Sequence, residues 1–426
     1  MRIGVIGLGK LGLPMAAVYA DAGHQVVAMD CDESLVLSLR RGEYPDRETG
    51  LKDLLLKVGS EIEFTTQYGN VRKQDMVFLI VPTPSDSMGR FSNAYIEGAL
   101  IKLVGYTGQT VIVSTIMPGS TRLLAQRYGL RLWYNPEFVA LGSVIRNMRH
   151  PDSILIGAPD AEIKDDCVLA DFHRSVVPLG TPIHVMSYEN AELSKLLLNC
   201  YVTMKIAFSN QVAGICERIP GGDVDIVTRF LGSDTRIGSK YLQSGLGSGG
   251  PCLPRDPKAL TSVFPDPLAV ATLNINSSQV HRVASIVRAI TPPHATVSVL
   301  GLTYKPDTPV VEASQAIKLA QDLAADHAVR VYDPMGLDEA KKVLKYGFTC
   351  CSTARECLEG SETAVIATAW KEFERLDLSP MKRRAVVDVW RMMKNRHDCE
   401  VYRAVGVADW SGCREGRGSG GQGGHK

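Results

Sequence analysis

The chain has 426 residues, 45% hydrophobic and 22% charged. It is long enough for two or three domains at about 100–200 residues each, and too apolar to be disordered in bulk. Lys+Arg 47 against Asp+Glu 46 leaves a formal charge of +1, which excludes a global electrostatic pull toward nucleic acid or an anionic membrane, so an anionic ligand must be held by local geometry. No apolar run approaches the roughly 18–20 residues that span a bilayer. Gly4, Gly7, Gly9, Lys10, Gly12 and Pro14 interrupt the apolar amino terminus, which argues against a secretory signal. The ten cysteines form no Cys-x-x-Cys and no His/Cys ligand cluster, and the adjacent Cys350 and Cys351 read as buried or incidental. A reduced, cytoplasmic chain with no metal centre is expected.

In chain order, Arg2–Gly7 reads as a short buried strand, followed by a glycine-rich turn and a helix from about Leu11 to Ala22 that ends at Gly23. Gln25–Asp30 is a second strand. Asp75–Val81, Thr110–Ser114 and Ser153–Gly157 are further strands, with helical patterns such as Tyr95–Val104 between them. Continuous apolar strands alternating with helices predict an α/β fold with a parallel, doubly wound sheet. From Ser187 to about Arg218, Leu193, Leu196, Leu197, Tyr201 and Met204 recur at helical spacing and predict one long helix. Residues 221–290 continue mostly helical around a loop, Ser244–Pro257. Strand patterns resume at Ala295–Leu300, Val329–Tyr332, Ala364–Ala367 and Ala385–Val389. This second α/β unit echoes the first, with one strand ending at Gly301 and a later one at Asp333, as in a degenerate duplication. The glycine-rich tail Gly416–Lys426 is expected to be disordered.

Gly7-Leu8-Gly9-Lys10-Leu11-Gly12 sits between the first strand and its helix, the context a dinucleotide fingerprint requires. Gly7 allows the tight turn, Gly9 lets a pyrophosphate approach the backbone, and Gly12 lets helix and strand pack closely. Asp30 ends the second strand, placed to accept ribose hydroxyls and to repel a 2′-phosphate, which favours NAD over NADP. The loop Gly249-Gly250-Pro251-Cys252-Leu253-Pro254-Arg255-Asp256 holds a cysteine between glycines and prolines. Its residues alone leave two readings even: a small buried side chain, or a presented nucleophile.

These motifs resemble those of the nucleotide-sugar dehydrogenases, the family of UDP-glucose 6-dehydrogenase and GDP-mannose dehydrogenase. The resemblance covers about residues 1–405. Besides the turn and Asp30, it rests on Val81-Pro82-Thr83-Pro84, Ser114-Thr115, Asn135-Pro136-Glu137-Phe138, Glu192-Leu193-Ser194-Lys195 with Asn199, and Asp234-x-Arg236-Ile237-Gly238. The cysteine loop, Gly301-Leu302-x-Tyr304-Lys305-Pro306-x-Thr308 and Thr368-x-Trp370-x-x-Phe373 complete the set in the family's order. It implies two doubly wound Rossmann-like domains joined by a long central helix and a helical dimerisation region. The corresponding boundaries are an NAD domain over 1–183, a central helical domain over 184–290, a nucleotide-sugar domain over 291–410, and a disordered tail over 411–426. A homodimer or higher assembly, a nucleotide-sugar substrate, and no nucleic-acid or membrane partner are implied with it.

By the same resemblance, the C6 alcohol of the sugar, UDP-glucose first, is oxidised to a carboxylate with two NAD. GDP-mannose, UDP-galactose and UDP-N-acetylhexosamines are the alternative substrates. An aldehyde yields a second hydride only after a nucleophile adds to it, and Cys252 would form the thiohemiacetal and then the thioester. Lys195 and Asn199, four apart on the long helix, would stabilise the oxyanions, although a solvated lysine is the plainer reading of that position. Asp256 would move protons. Thr115 and Glu137 would serve the hydrolytic water, with an ordinary helix-start acid as the other reading of Glu137. Gly7, Gly9, Lys10, Leu11, Gly12, Asp30, Thr83 and Thr115 would hold NAD, while Glu137, Lys195, Asn199, Arg236, Gly249 and Lys305 would hold the substrate.

The chain departs from the family pattern at Leu141, Ser153, Gln211, Ser248, Glu312 and Trp390, with Arg391 one place late. Two rivals stay open: a single-hydride enzyme of the β-hydroxyacid dehydrogenase type, and a non-catalytic nucleotide-sugar sensor.

Overall fold

The computed structural model describes residues 1–45 and 48–408, so the expected disordered tail lies outside the described residues. The described chain divides into two compact units, Met1–Leu198 with Ser262–Phe264, and Asn199–Thr261 with 265–408.

The first unit is built on eight strands: β1 (Arg2–Ile6), β2 (Gln25–Met29), β3 (Ile62–Thr65), β4 (Met76–Leu79), β5 (Gln109–Ile112), β6 (Leu132–Tyr134), β7 (Ile154–Ala158) and β8 (Ile183–Ser187). Their order is β3-β2-β1-β4-β5-β6-β7-β8. Every pairing is parallel except β6 with β7, which meet antiparallel at Tyr134 and Gly157. Successive strand residues serve opposite faces. Ile3, Val5, Val26, Ala28, Met76 and Phe78 join one core, and Ile6, Val27, Met29, Val77 and Leu79 join the other. A sheet buried on both faces explains why these strands read as unbroken apolar runs.

The second unit carries β9 (Thr296–Leu300), β10 (Ala328–Tyr332), β11 (Phe348–Cys350), β12 (Thr363–Ile366), β13 (Ala385–Asp388) and β14 (Val401–Ala404). They form an all-parallel sheet ordered β11-β10-β9-β12-β13-β14. The first six strands of each sheet thus repeat one order, 3-2-1-4-5-6, with the reversal beside β1 and beside β9, as the duplicated sequence pattern anticipates.

The expected long helix runs Tyr188–Cys216. It is followed by helices Val224–Ser233, Arg255–Thr261 and Pro267–Ile290. The last of these starts with a proline and is capped by the Asp266 carboxylate, which accepts from the Leu268 and Ala269 amides.

Two expectations change. Helix Arg255–Thr261 begins inside the stretch read as loop, because Pro257 falls in its first turn, where the missing N–H has no intrahelical role. Strands β3, β6, β8, β11 and β14 have no counterpart in the sequence reading. They are three to five residues long, and β8 and β14 are only half-buried, so no apolar run marks them.

Candidate active site

The glycine turn is shaped by contact on one side and openness on the other. Gly7 has φ +96°, and a Cβ on Gly12 would collide with the Gly7 carbonyl oxygen. A Cβ on Gly9 would meet nothing within 4 Å, which is the cradle a pyrophosphate needs. The helix that follows, Gly12–Asp21, has no side-chain cap and no acid in its first turn, so its amino-terminal N–H groups can face an anion. Asp30 accepts from the Leu8 amide (2.7 Å) and the Asp32 amide (2.9 Å). Two bonds leave acceptor capacity on its carboxylate for ribose hydroxyls. These residues fit a dinucleotide.

The echo in the second unit does not. Asp333, which follows β10 as Asp30 follows β2, is buried. Its Oδ2 accepts from the Leu302 and Thr303 amides, the Thr303 hydroxyl and the Trp370 indole, and its Oδ1 from the Met335 and Gly336 amides. Six donors leave no lone pair for a ribose. A Cβ on Gly301 would press on Thr368 at 2.5 Å.

Beyond the turn, the first unit locks two loops to each other and fixes a third to the long helix. The Ser114 hydroxyl accepts from the Val81 amide and donates to its carbonyl. Thr83 Oγ1 donates to the Thr115 carbonyl at 2.8 Å. Lys195 Nζ donates to the Glu137 carbonyl at 2.6 Å and lies 4.6 Å from the Phe138 ring centroid. Glu137 stands in coil, and the next helix starts at Val144, so its reading as a helix-start acid falls away. Desolvation pushes its carboxyl from 4.5 up to about 7, opposed by the Lys195 charge.

In the second unit, Asn199 Nδ2 donates to Asp256 Oδ2 at 2.6 Å. Asp256 is 1% exposed, whereas Cys252 is exposed, and its carbonyl accepts from the Arg255 and Asp256 amides as the helix Arg255–Thr261 begins. The Asn199 amide therefore orients a buried carboxylate and keeps one further N–H for another acceptor. Lys195 and Asn199 lie one turn apart on the helix Tyr188–Cys216.

The loop ahead of Cys252 is gripped by residues that motif reading missed. The Asn210 amide oxygen accepts from the Gly245 N–H, and Gln279 donates to the Gly245 carbonyl. Asn276 binds both the N–H and the carbonyl of Ser248, and Gln315 donates to that same carbonyl. These partners sit 28 to 67 residues from the loop, so no local spacing could reveal them. Arg391 places all five of its guanidinium donors, two on Asp225 and one each on the Ser244, Val389 and Val405 carbonyls. Trp390 packs against Gly245, where a Cβ would collide with its ring. The displaced arginine is thus an anchor for the loop entry. Tyr304 packs beneath Gly250, Lys305 Nζ lies 5.9 Å from the Tyr304 ring centroid, and a Cβ on Gly249 would press on the Ala313 carbonyl. Arg236 is exposed and paired with Asp234 at 2.7 Å.

Cys351 is buried in an apolar core and Cys350 is half-buried. Among the described residues no group of three or more His, Cys, Asp or Glu could hold a metal ion, and no helix is long and apolar enough to cross a membrane.

Three family models match in sequence: the UDP-glucose/GDP-mannose dehydrogenase NAD binding domain over residues 1–176, the central domain over 189–285 and the UDP binding domain over 298–395. The chain is 32% identical to UDP-glucose 6-dehydrogenase TuaD of Bacillus subtilis, covering 95% of this chain and 91% of that protein. Among solved structures, a UDP-glucose dehydrogenase of Pyrobaculum islandicum is similar at TM-score 0.87 and 30% identity, over 96% of this chain and 98% of that one. A UDP-D-ManNAc dehydrogenase of Pyrococcus horikoshii follows at TM-score 0.81 and 25% identity, over 96% and 100%. Two parallel-sheet units, a dinucleotide cradle in the first and three consecutive family domains lead to one conclusion: the chain belongs to the UDP-glucose/GDP-mannose dehydrogenase family, the NAD-dependent dehydrogenases of nucleotide sugars.

Proposed function

We propose that this chain oxidises the C6 alcohol of UDP-glucose to a carboxylate in two steps, through a thiohemiacetal and a thioester on Cys252. Two NAD molecules, held in turn at the Gly7–Gly12 turn with Asp30 and Thr83, would each accept one hydride. Lys195 and Asn199 donate to the alkoxide and to the later tetrahedral oxyanions. The Cys252 sulfur adds to the aldehyde carbon, and loss of the second hydride leaves a thioester. Water then cleaves the carbon–sulfur bond and returns the thiol. Glu137, its carboxyl near 7, suits proton transfer at neutral pH, and Thr115 orients that water. Asp256 moves protons for the thiol loop, while Arg236, Gly249 and Lys305 hold the nucleotide sugar.

The observation that carries this reading is the buried Asp256 carboxylate, held at 2.6 Å by Asn199 and four residues beyond an exposed cysteine. A core cysteine would need no such arrangement. The UDP-D-ManNAc dehydrogenase neighbour makes UDP-N-acetylhexosamines the second substrate class. A homodimer is supported by an apolar stripe on the helix Tyr188–Cys216, where Leu197, Tyr201, Phe208 and Ile215 are exposed; the next helix exposes Ile226 and Phe230 as well.

The deciding experiment counts NADH per nucleotide sugar consumed, across UDP-glucose, UDP-galactose, UDP-N-acetylhexosamines and GDP-mannose. Two per sugar is expected, with no acid formed by Cys252→Ala. One per sugar, or acid from Cys252→Ala at the unaltered rate, overturns the covalent scheme, and no turnover of any sugar leaves the sensor reading standing.

A further inference from the structure

Glu192 lies in the same motif as Lys195, one turn before it, and the reading above gives it no role. It is fully buried. Its Oε2 accepts from the Gly119 amide at 2.5 Å, and its Oε1 accepts from the Thr121 amide at 2.7 Å and the Thr121 hydroxyl at 2.6 Å. These donors open the helix Ser120–Tyr128, whose N-cap residue, Gly119 at φ 87°, offers no side chain. Helix starts are ordinarily capped by a Ser, Thr, Asp or Asn of their own. Here the cap reaches in from another helix, more than 70 residues away.

The capped helix is the far end of the segment that begins with Thr115. Between them Ile116 is fully buried and Pro118 has a fixed φ. At the near end the Thr115 carbonyl is held by Thr83 Oγ1. The segment is thus pinned at one end by Thr83 and at the other by Glu192. Residues three apart share a helix face, so the face that sends Lys195 to the Glu137 carbonyl also sends Glu192 to the Thr115 segment.

We propose that Glu192 is a positioning residue: it sets Thr115 relative to Lys195 by capping the helix that Thr115 leads into. The inference rests on the roles proposed above for Thr115 and Lys195. The Glu189–Arg122 ion pair joins the same two helices near the surface and offers a control for mere tethering.

The test is a double-mutant cycle with UDP-glucose and NAD. Glu192→Gln keeps the shape but puts an amide donor against backbone donors. It should lower kcat about tenfold to a hundredfold while the KM for UDP-glucose moves less than about threefold. In a Thr115→Ala background the same change should cost less than about threefold, because the placement it protects is already without purpose. Arg122→Ala should lower the melting temperature and leave kcat unchanged. If Glu192→Gln does not fold, Thr121→Val removes one donor isosterically and should couple to Thr115→Ala in the same sense. Additive losses of Glu192→Gln and Thr115→Ala, or an equal loss of kcat in Arg122→Ala, overturn the positioning role and leave the proposed mechanism intact. A Thr115→Ala enzyme with unaltered kcat removes the mechanistic role of Thr115, and the inference with it.

Discussion

Replacing Glu137 with glutamine should stabilise the protein at alkaline pH and disable it at the same time. Burial lifts the Glu137 carboxyl from 4.5 to about 7 against the opposing charge of Lys195. At about 1.4 kcal/mol per decade, that difference costs the ionised form about 3 kcal/mol, reduced to about 2 kcal/mol for a half-buried side chain that solvent still reaches. The folded state binds this proton more tightly than the unfolded state. Stability therefore falls as pH rises from 4.5 through about 7, and the full cost is present above that range. Glutamine has no proton to lose. Urea unfolding of Glu137→Gln and the parent should give a gain of about 2 kcal/mol near pH 8.5, shrinking to less than half of that near pH 5. Lys195→Met, by removing the opposing charge, should move the Glu137 titration further up. A stability difference that is the same at both pH values would show that Glu137 titrates like an ordinary carboxyl, and the argument for its proton-transfer role would go with it.

The glycine turn offers a paired prediction. Gly9→Ala, whose Cβ meets no protein atom within 4 Å, should melt within about 0.5 kcal/mol of the parent yet lose NAD affinity in a fluorescence titration, because the methyl occupies the space of the pyrophosphate. Gly12→Ala, whose Cβ collides with the Gly7 carbonyl, should cost about 3 kcal/mol or more in the same melting experiment. Equal behaviour of the two would refute the assignment of open and closed sides. Phe208→Glu, on the exposed apolar stripe, should shift the mass seen by light scattering to a smaller species without unfolding the chain, and an unchanged mass would remove that stripe from any subunit contact.

Much about this protein is decided by the order of residues alone. The strand, glycine turn, helix and Asp30 are all contained in some thirty consecutive positions, and each constraint there acts between near neighbours. A turn that needs φ > 0 at Gly7 or a helix start that must stay uncapped leaves a local trace that can be read off directly. The buried-on-both-faces sheet is legible for the same reason, since its strands must be apolar throughout. Likewise the four-residue spacing of Lys195 and Asn199 follows from helix periodicity.

The tertiary structure decides what depends on partners far along the chain. It closes the second unit to a dinucleotide by surrounding Asp333 with six donors, where the sequence displays only another strand ending in aspartate. It turns Asn199 toward Asp256 and recruits Asn276, Gln279, Gln315 and Arg391 to hold the cysteine loop. It also gives Glu192 a helix to cap. Hydrogen bonds of this kind are made in three dimensions between groups dozens of residues apart, and a buried carbonyl or carboxylate takes whichever donor the fold delivers. Periodicity and turn chemistry report on neighbours along the chain, so they carry no record of that choice.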